Sequence, residues 1–168
     1  MASDLFLMFY SYFIDGFAYA GEALVGKYVG AHKPQRLKRV IRSLFLWGGG
    51  LTLVYSVLYY FGNDFILRLL TNNQEIIDTA APYLFWVVLI PVVGTASYIW
   101  DGIYIGATAS KGMLYSMMGA TFLIFFPVYF LLKDTLGNHA LWLAMILFMG
   151  SRGFFQTIIS KRYIWSKI

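Results

Sequence analysis

Residues 83–106 read YLFWVVLIPVVGTASYIWDGIYIG, an apolar and aromatic stretch whose one charged side chain is Asp101. A helix of about 20 residues is about 30 Å long, which matches the hydrocarbon core of a bilayer. A carboxylate inside such a helix is costly to insert, by roughly 2.5–3.5 kcal/mol. The stretch therefore predicts a membrane-spanning helix, and Asp101 is its first candidate for a functional residue.

The composition of the whole chain agrees with this reading. Its 168 residues are 60% hydrophobic and 12% charged, whereas soluble domains are typically near 45–50% apolar and about 25% charged. Long, continuously apolar runs favour helices over barrel strands, which alternate over about 10 residues. We therefore expect an all-α integral membrane protein with a single membrane domain over residues 1–168. Its five transmembrane helices are predicted at about 5–26, 43–62, 83–106, 113–132 and 139–159.

The charges between these spans predict an orientation. On one side lie ten basic residues: Lys27, Lys33, Arg36, Lys38, Arg39, Arg42, Lys111, Lys161, Arg162 and Lys167. On the other side lie two, Arg68 and Lys133. The positive-inside rule then places 27–42 and the C-terminus in the cytoplasm of a cell membrane. A nucleic-acid-binding patch is the alternative reading of 27–42, but the orientation signal, with contact to anionic lipid, explains it more simply.

Several function classes find no support in the chain. Cys is absent and the two histidines, His32 and His139, are far apart, so neither a disulfide framework nor a histidine-based zinc site is expected. No nucleophile–base motif is visible, and the chain is not expected to be an enzyme or to hold a cofactor. The N-terminus begins almost flush with a span and the number of spans is odd, which predicts that a preceding part of a larger protein is missing.

The first predicted span carries two further acids. Asp15 and Glu22 lie seven residues apart and share a helix face with Tyr12 and Tyr19. One reading is an ion, proton or cation pathway along this face. The other is structural, with Glu22 paired to a basic residue and Asp15 in a hydrogen bond.

Other residues inside the spans predict kinks, close packing or polar contacts. Pro91 and Pro127 are expected to kink their helices, and a carbonyl freed by Pro91 could help Asp101 to coordinate a cation. Arg152 is expected either to snorkel to the membrane surface or to pair with an acid on a neighbouring helix. Two small-residue pairs predict close helix contacts: Gly16 with Ala20, and Gly26 with Gly30.

Three stretches resemble the multidrug and toxic compound extrusion (MATE) family, and most of all its DNA-damage-inducible protein F (DinF) branch. The first stretch is DGFAYAGEALVGKYVGA at 15–31, followed by the basic segment. The second runs from PYL at 82–84 through LIP at 89–91 to WDGIYIGAT at 100–108. The third is LGNHALWLA at 136–144. All three occur in the order found in the C-terminal half of the family.

The resemblance implies a fold of twelve helices in two six-helix lobes, of which these spans would be helices eight to twelve. Asp101 matches an acid on helix ten that other branches use in a cation site, so the resemblance implies a monovalent cation at Asp101. The acid on helix seven that completes such a site, and the acid on the first helix that DinF-type members are thought to use for proton coupling, are not in this chain.

The function expected is part of a secondary active antiporter that exports cationic or amphipathic organic compounds in exchange for protons or sodium ions. Asp101, Asp15 and Glu22 are the candidates for ion or proton coupling. The candidates for the substrate cavity are Tyr12, Tyr19, Tyr98 and Arg152. The expected partners are the bilayer, small organic cations and the missing N-terminal lobe. The alternatives are a flippase for lipid-linked oligosaccharides from the same superfamily, or a truncated, inactive membrane subunit.

Overall fold

The computed structural model describes residues 2–70 and 83–167, which form five long helices and no strands. We number them α1 (Ala2–Gly30), α2 (Pro34–Leu70), α3 (Leu84–Gly106), α4 (Ser110–Leu136) and α5 (Asn138–Tyr163), the last followed by a short 3₁₀ turn, Trp165–Lys167. The predicted all-α fold class is confirmed. Residues 71–82, with the start of the second motif, lie outside the described residues.

Four of the described helices are long and apolar enough to cross a membrane. The crossing segments are Pro34–Leu58 in α2, Val88–Gly106 in α3, Ser110–Leu136 and Asn138–Tyr163. The first helix is outside this group; Asp15, Glu22 and several tyrosines lower its hydropathy. These findings support a multi-pass membrane protein.

The connection between α1 and α2 is much shorter than the basic segment 27–42 that the sequence suggested. The first helix continues to Gly30 and the second begins at Pro34, so the non-helical part is only 31–33. Proline favours the first turn of a helix because its missing N–H is not needed there. Most of the predicted loop is therefore helical, and four of its six basic residues, Arg36, Lys38, Arg39 and Arg42, stand on the first turns of α2.

The first and third helices meet through glycine rather than through side chains. A Cβ added at Gly102 would lie 2.7 Å from the Cα of Ala18, and one at Gly106 would lie 2.9 Å from the Cα of Glu22. Both distances are shorter than real Cβ atoms show, so only glycine allows this approach. The contact residues increase by four along both helices, from Ala18 to Glu22 on α1 and from Gly102 to Gly106 on α3. The two helices therefore run parallel, as the first and third of three consecutive antiparallel helices do.

The small-residue pairs predicted for α1 were mostly wrong. A Cβ added at Gly16 or Gly30 would meet nothing within 4 Å, whereas one at Gly26 would lie 3.2 Å from the carbonyl oxygen of Gly106. A pair of small residues shows that a helix can be approached closely, but not which helix face the fold covers.

The core is built around α3. In its membrane-crossing segment 56% of the residues are buried, against 11% in α4. A large apolar cluster includes Ile14 of α1, Leu37 of α2, and Ile99 and Ile103 of α3. A smaller cluster joins Ile90 of α3 to Ile146 and Met149 of α5. The buried side chains of α3 are consequently held by packing against α1, α2 and α5.

The fourth helix contains a π-helical segment, Ala120–Phe125, directly before Phe126–Leu136. Pro127 lies at the start of that second part. It has no N–H to donate to the preceding turn, and its ring crowds a carbonyl there. A widened turn relieves that crowding. The irregularity that the sequence predicted near Pro127 thus takes the form of a π segment.

Candidate functional site

The carboxylate of Asp101 points from α3 towards α5, where two side chains hold it. Arg152 donates a hydrogen bond from Nη2 to Oδ2 and forms an ion pair with Asp101. Gln156 donates from Nε2 to Oδ1 over 2.7 Å. Arg152 and Gln156 are four residues apart and therefore share one face of α5. We call these three side chains the Asp101 network.

The three side chains of the Asp101 network are mostly buried inside the bundle. The side chains of Arg152 and Asp101 are 14% and 21% exposed, and Gln156 is 0% exposed. Within the described part of the chain, two buried atoms of the network lack a hydrogen-bond partner, Nε of Arg152 and Oε1 of Gln156. An unsatisfied buried polar atom costs about 1–3 kcal/mol and is uncommon in native proteins. The network therefore has unused hydrogen-bonding capacity, which suits the binding of a further polar group or ion.

Three more hydrogen bonds fix the register between α3 and α5. Ser97 donates from Oγ to the carbonyl of Met149 over 2.6 Å, and the hydroxyl of Tyr104 donates to the carbonyl of Gln156 over 2.6 Å. Nε1 of Trp100 donates to Oγ1 of Thr157 over 2.8 Å. These bonds lie above and below Asp101, so the carboxylate is held opposite Arg152.

Two positions were expected for Arg152, at the membrane surface or paired with an acid on a neighbouring helix. The structure shows the second, with Asp101 of α3 as the acid. Sequence reasoning did not single out Gln156. A glutamine four residues after an arginine, in an otherwise apolar helix, was the signal that could have found it. Tyr98 is half-buried and packs against the large apolar cluster.

The acids of α1 lie at a similar depth to Asp101 but do not contact it. Because Gly102 packs on Ala18, Asp101 lies between the levels of Asp15 and Glu22. Both acids are half-buried. Among residues 2–70 and 83–167, neither acid has a hydrogen bond or an ion pair. The basic partner suggested for Glu22 is thus not found in this part of the chain.

Two tyrosines flank these acids on the same face of α1. Tyr12 is 73% exposed and Tyr19 is 71% exposed. With Asp15 and Glu22 they form what we call the α1 acidic face. Exposed phenol rings beside carboxylates offer both charge attraction and cation–π contacts to a positively charged molecule.

Pro91 does not supply a carbonyl to Asp101. The carbonyl that a proline leaves without its helical donor belongs to the residue four positions earlier, here position 87. That position is about 21 Å along the helix axis from Asp101. The carbonyl of Pro91 itself accepts a hydrogen bond of 2.6 Å from Oγ1 of Thr95. The carbonyl freed by Pro91 is therefore too far from Asp101 to help it to coordinate a cation, and that expectation was wrong.

No three His, Cys, Asp or Glu side chains come close enough to hold a metal ion in the described ranges. A monovalent cation at Asp101 stays a prediction.

Comparisons with known proteins agree with the motifs. The profile of the MatE family matches residues 2–131. The chain is 40% identical over 157 residues to DNA damage-inducible protein F of Escherichia coli (strain K12). The aligned region covers 94% of this chain and 34% of that protein. The chain thus spans about a third of the length of this curated relative. No solved structure matches.

Proposed function

This chain belongs to the MatE family of membrane transporters, and on that premise we propose that it forms part of an efflux antiporter. The transporter would export cationic or amphipathic organic compounds in exchange for protons or sodium ions. It would lie in the cell membrane with its C-terminus in the cytoplasm. Its other lobe would be supplied by sequence corresponding to the part of the E. coli relative that this chain does not span.

The observation that carries the proposal is the ion pair between Asp101 and Arg152. The pair joins two helices inside the bundle and is neutral as it stands. A proton or a cation that reaches Asp101 competes with Arg152 for the carboxylate, and Arg152 can be released only if its own charge gains another partner or contact with water. Antiport requires that the bound ion changes the protein's affinity for the other solute, and the two states of the contact between α3 and α5, with and without the ion pair, could provide that change.

The energetics favour a switch rather than gradual change. Removing one partner from a buried ion pair costs about 3–5 kcal/mol because the other charge stays buried and uncompensated. States with Arg152 released and Asp101 empty are therefore sparsely populated. Arg152 is therefore released only when the ion arrives at Asp101. In this proposal that exchange couples ion binding to a change in the contact between α3 and α5.

The α1 acidic face is the proposed place for the organic substrate. Tyr12 and Tyr19 present exposed rings, while Asp15 and Glu22 supply negative charge at the depth of Asp101. A delocalised organic cation gains from both kinds of contact. The proposal assigns substrate attraction to α1 and ion coupling to the contact between α3 and α5.

The flippase alternative has less support. Recognition of a pyrophosphate-linked lipid calls for cationic side chains that are free to bind phosphate. Arg152, the one basic residue deep in a predicted span, is engaged by Asp101. The described helices otherwise present acids at this depth.

The direct test is Asp101→Asn in the full-length transporter, reconstituted in liposomes with an imposed proton or sodium gradient. We expect the variant to lose gradient-driven efflux of a cationic dye, and circular dichroism of the reconstituted protein has to show the wild-type helix content so that the loss is not one of folding. Asp134→Asn, at the exposed end of α4, is the matched control and should transport as the wild type does. Wild-type efflux by Asp101→Asn would remove the role proposed for this residue.

A further inference from the structure

A groove of about 440 Å³ lies between α1 and α2, away from the Asp101 network. From α1 its lining includes Phe17, Leu24 and Tyr28. From α2 it includes Arg39, Ser43 and Trp47. Because the two helices are antiparallel, Tyr28 and Arg39 lie at one end, and Phe17 and Trp47 lie at the other. The groove is therefore polar at the end near the turn 31–33 and apolar along the rest of its length.

The polar end is surrounded by positive charge. Segment 27–42 has six basic residues and no acid, and all six basic side chains are exposed. Arg39 is the one among them that lines the groove, and it has no ion-pair partner among the residues that the structure describes. An exposed basic cluster beside an apolar channel matches a molecule with an anionic head and a hydrocarbon tail.

The dimensions of the groove favour a hydrocarbon chain over a protein helix. From Arg39 to Trp47 the groove is about 12 Å long, at 1.5 Å per residue. A groove of about 440 Å³ over that length, lined mostly by apolar side chains, has room for one extended hydrocarbon chain. A helix is about 10–12 Å across with its side chains, so it would lie over the opening rather than fill the groove. An alkyl chain can fill it.

We propose that this groove binds an anionic phospholipid from the leaflet on the basic side of the membrane. One acyl chain lies between Leu24 and Trp47, and the phosphate of the headgroup accepts hydrogen bonds from Arg39 and Ser43. The remaining bases of 27–42 attract anionic lipids to the mouth of the groove without selecting their position. This site is separate from the ion-coupling function proposed above and does not depend on it.

Quenching of Trp47 fluorescence tests the site directly. The chain is purified in detergent and titrated with phosphatidylglycerol or phosphatidylcholine that carry brominated acyl chains, since bromine quenches tryptophan on contact. Trp47 is 72% exposed. The difference in quenching between the wild type and Trp47→Phe is the quenching of Trp47 in the groove. A basic residue near an anionic surface contributes about fivefold in affinity. We expect half-maximal quenching at about five- to tenfold less phosphatidylglycerol than phosphatidylcholine.

Two variants with the same change in charge separate a site from a diffuse patch. Arg39→Gln should remove most of the preference for phosphatidylglycerol, whereas Arg36→Gln, outside the groove, should keep most of it. Circular dichroism should show the same helix content for both. Equal losses in the two variants would overturn the proposal in favour of general surface attraction.

Other outcomes would overturn it as well. Equal quenching of the wild type by the two lipids would show that Arg39 does not select a headgroup. Quenching that soluble glycerol phosphate relieves would indicate a site for small anions, not for lipid. A lack of Trp47-dependent quenching by either lipid would show that no acyl chain enters the groove.

Discussion

Asp101 and Arg152 stabilise each other because each would otherwise be a lone charge between two apolar helices. We expect Arg152→Gln to destabilise the chain by roughly 3–5 kcal/mol, since it leaves Asp101 without its counter-charge. Asp101→Asn should cost a comparable amount by stranding Arg152. Thermal unfolding in detergent, followed by circular dichroism, measures both changes.

The double variant Asp101→Asn with Arg152→Gln tests whether the two residues stabilise the chain as a pair. With both charges removed, no buried ion remains, so the double variant should be clearly more stable than the sum of the single effects predicts. Additive losses would mean that each residue acts through separate contacts, and the pair would then have no special place in the mechanism.

The sequence located most of this site but not its arrangement. Asp101 stood out because a carboxylate in an apolar helix is costly, and Arg152 stood out for the same reason. Gln156 carries no charge and did not stand out by its cost in lipid, although its spacing of four residues from Arg152 would have placed it on the same face of α5. The separation of Asp15 and Glu22 from Asp101 was equally hidden, because helix periodicity gives the face of one helix but not the neighbour that it meets.

The contact between α1 and α3 depends on two glycines that have no room for a side chain. Gly102→Ala should destabilise the chain, because the added methyl group would overlap the backbone at Ala18. Gly50→Ala, in α2, is the matched control: a Cβ there meets nothing within 4 Å. Alanine is favoured over glycine in a helix by about 1 kcal/mol, so this control should be slightly stabilised. Chemical unfolding of the two variants should give shifts of opposite sign.

A shift of the same sign and size in both variants would mean that the backbone contact is not tight. The sequence did predict that small residues would bring helices together, but it favoured pairs within α1. The residues that make the contact, Gly102 and Gly106, flank the same turn of α3. Their partner surface on α1 is the backbone at Ala18 and Glu22, and Gly26 is the one residue of the predicted pairs that shares in the contact.

Four of the helices in the described part of the chain were predictable because hydrophobic length is a property of each segment alone; α1 is also helical where a span was predicted, but it is not among the helices apolar enough to cross a membrane. The predicted spans fall within the observed helices, except that the third begins one residue before Leu84. The extension of α2 back to Pro34 was missed because basic residues were read as a loop. Lysine and arginine are good helix formers, and their charge argues only against burial in lipid, not against a helix.

The orientation of the whole chain in the membrane is open to a simple labelling test. Because this chain has no cysteine, an introduced thiol is the only one within it. Gln35→Cys lies at the start of α2 on the basic side, and Asn138→Cys lies at the start of α5. In intact cells an impermeant maleimide should label Asn138→Cys and leave Gln35→Cys unlabelled until the membrane is opened. The reverse pattern would invert the topology that the positive-inside rule predicts.

The contact of α1 with α3 at Gly102 and Gly106 also has a mechanical consequence. At Gly102 and Gly106 no side chain stands between the two backbones that could change rotamer and make room, so direct overlap opposes a shift of α1 along α3. The contact between α3 and α5 is also close at Gly153, but it carries in addition hydrogen bonds and an ion pair whose partners can change. A movement between α3 and α5 would therefore require the release of the ion pair between Asp101 and Arg152.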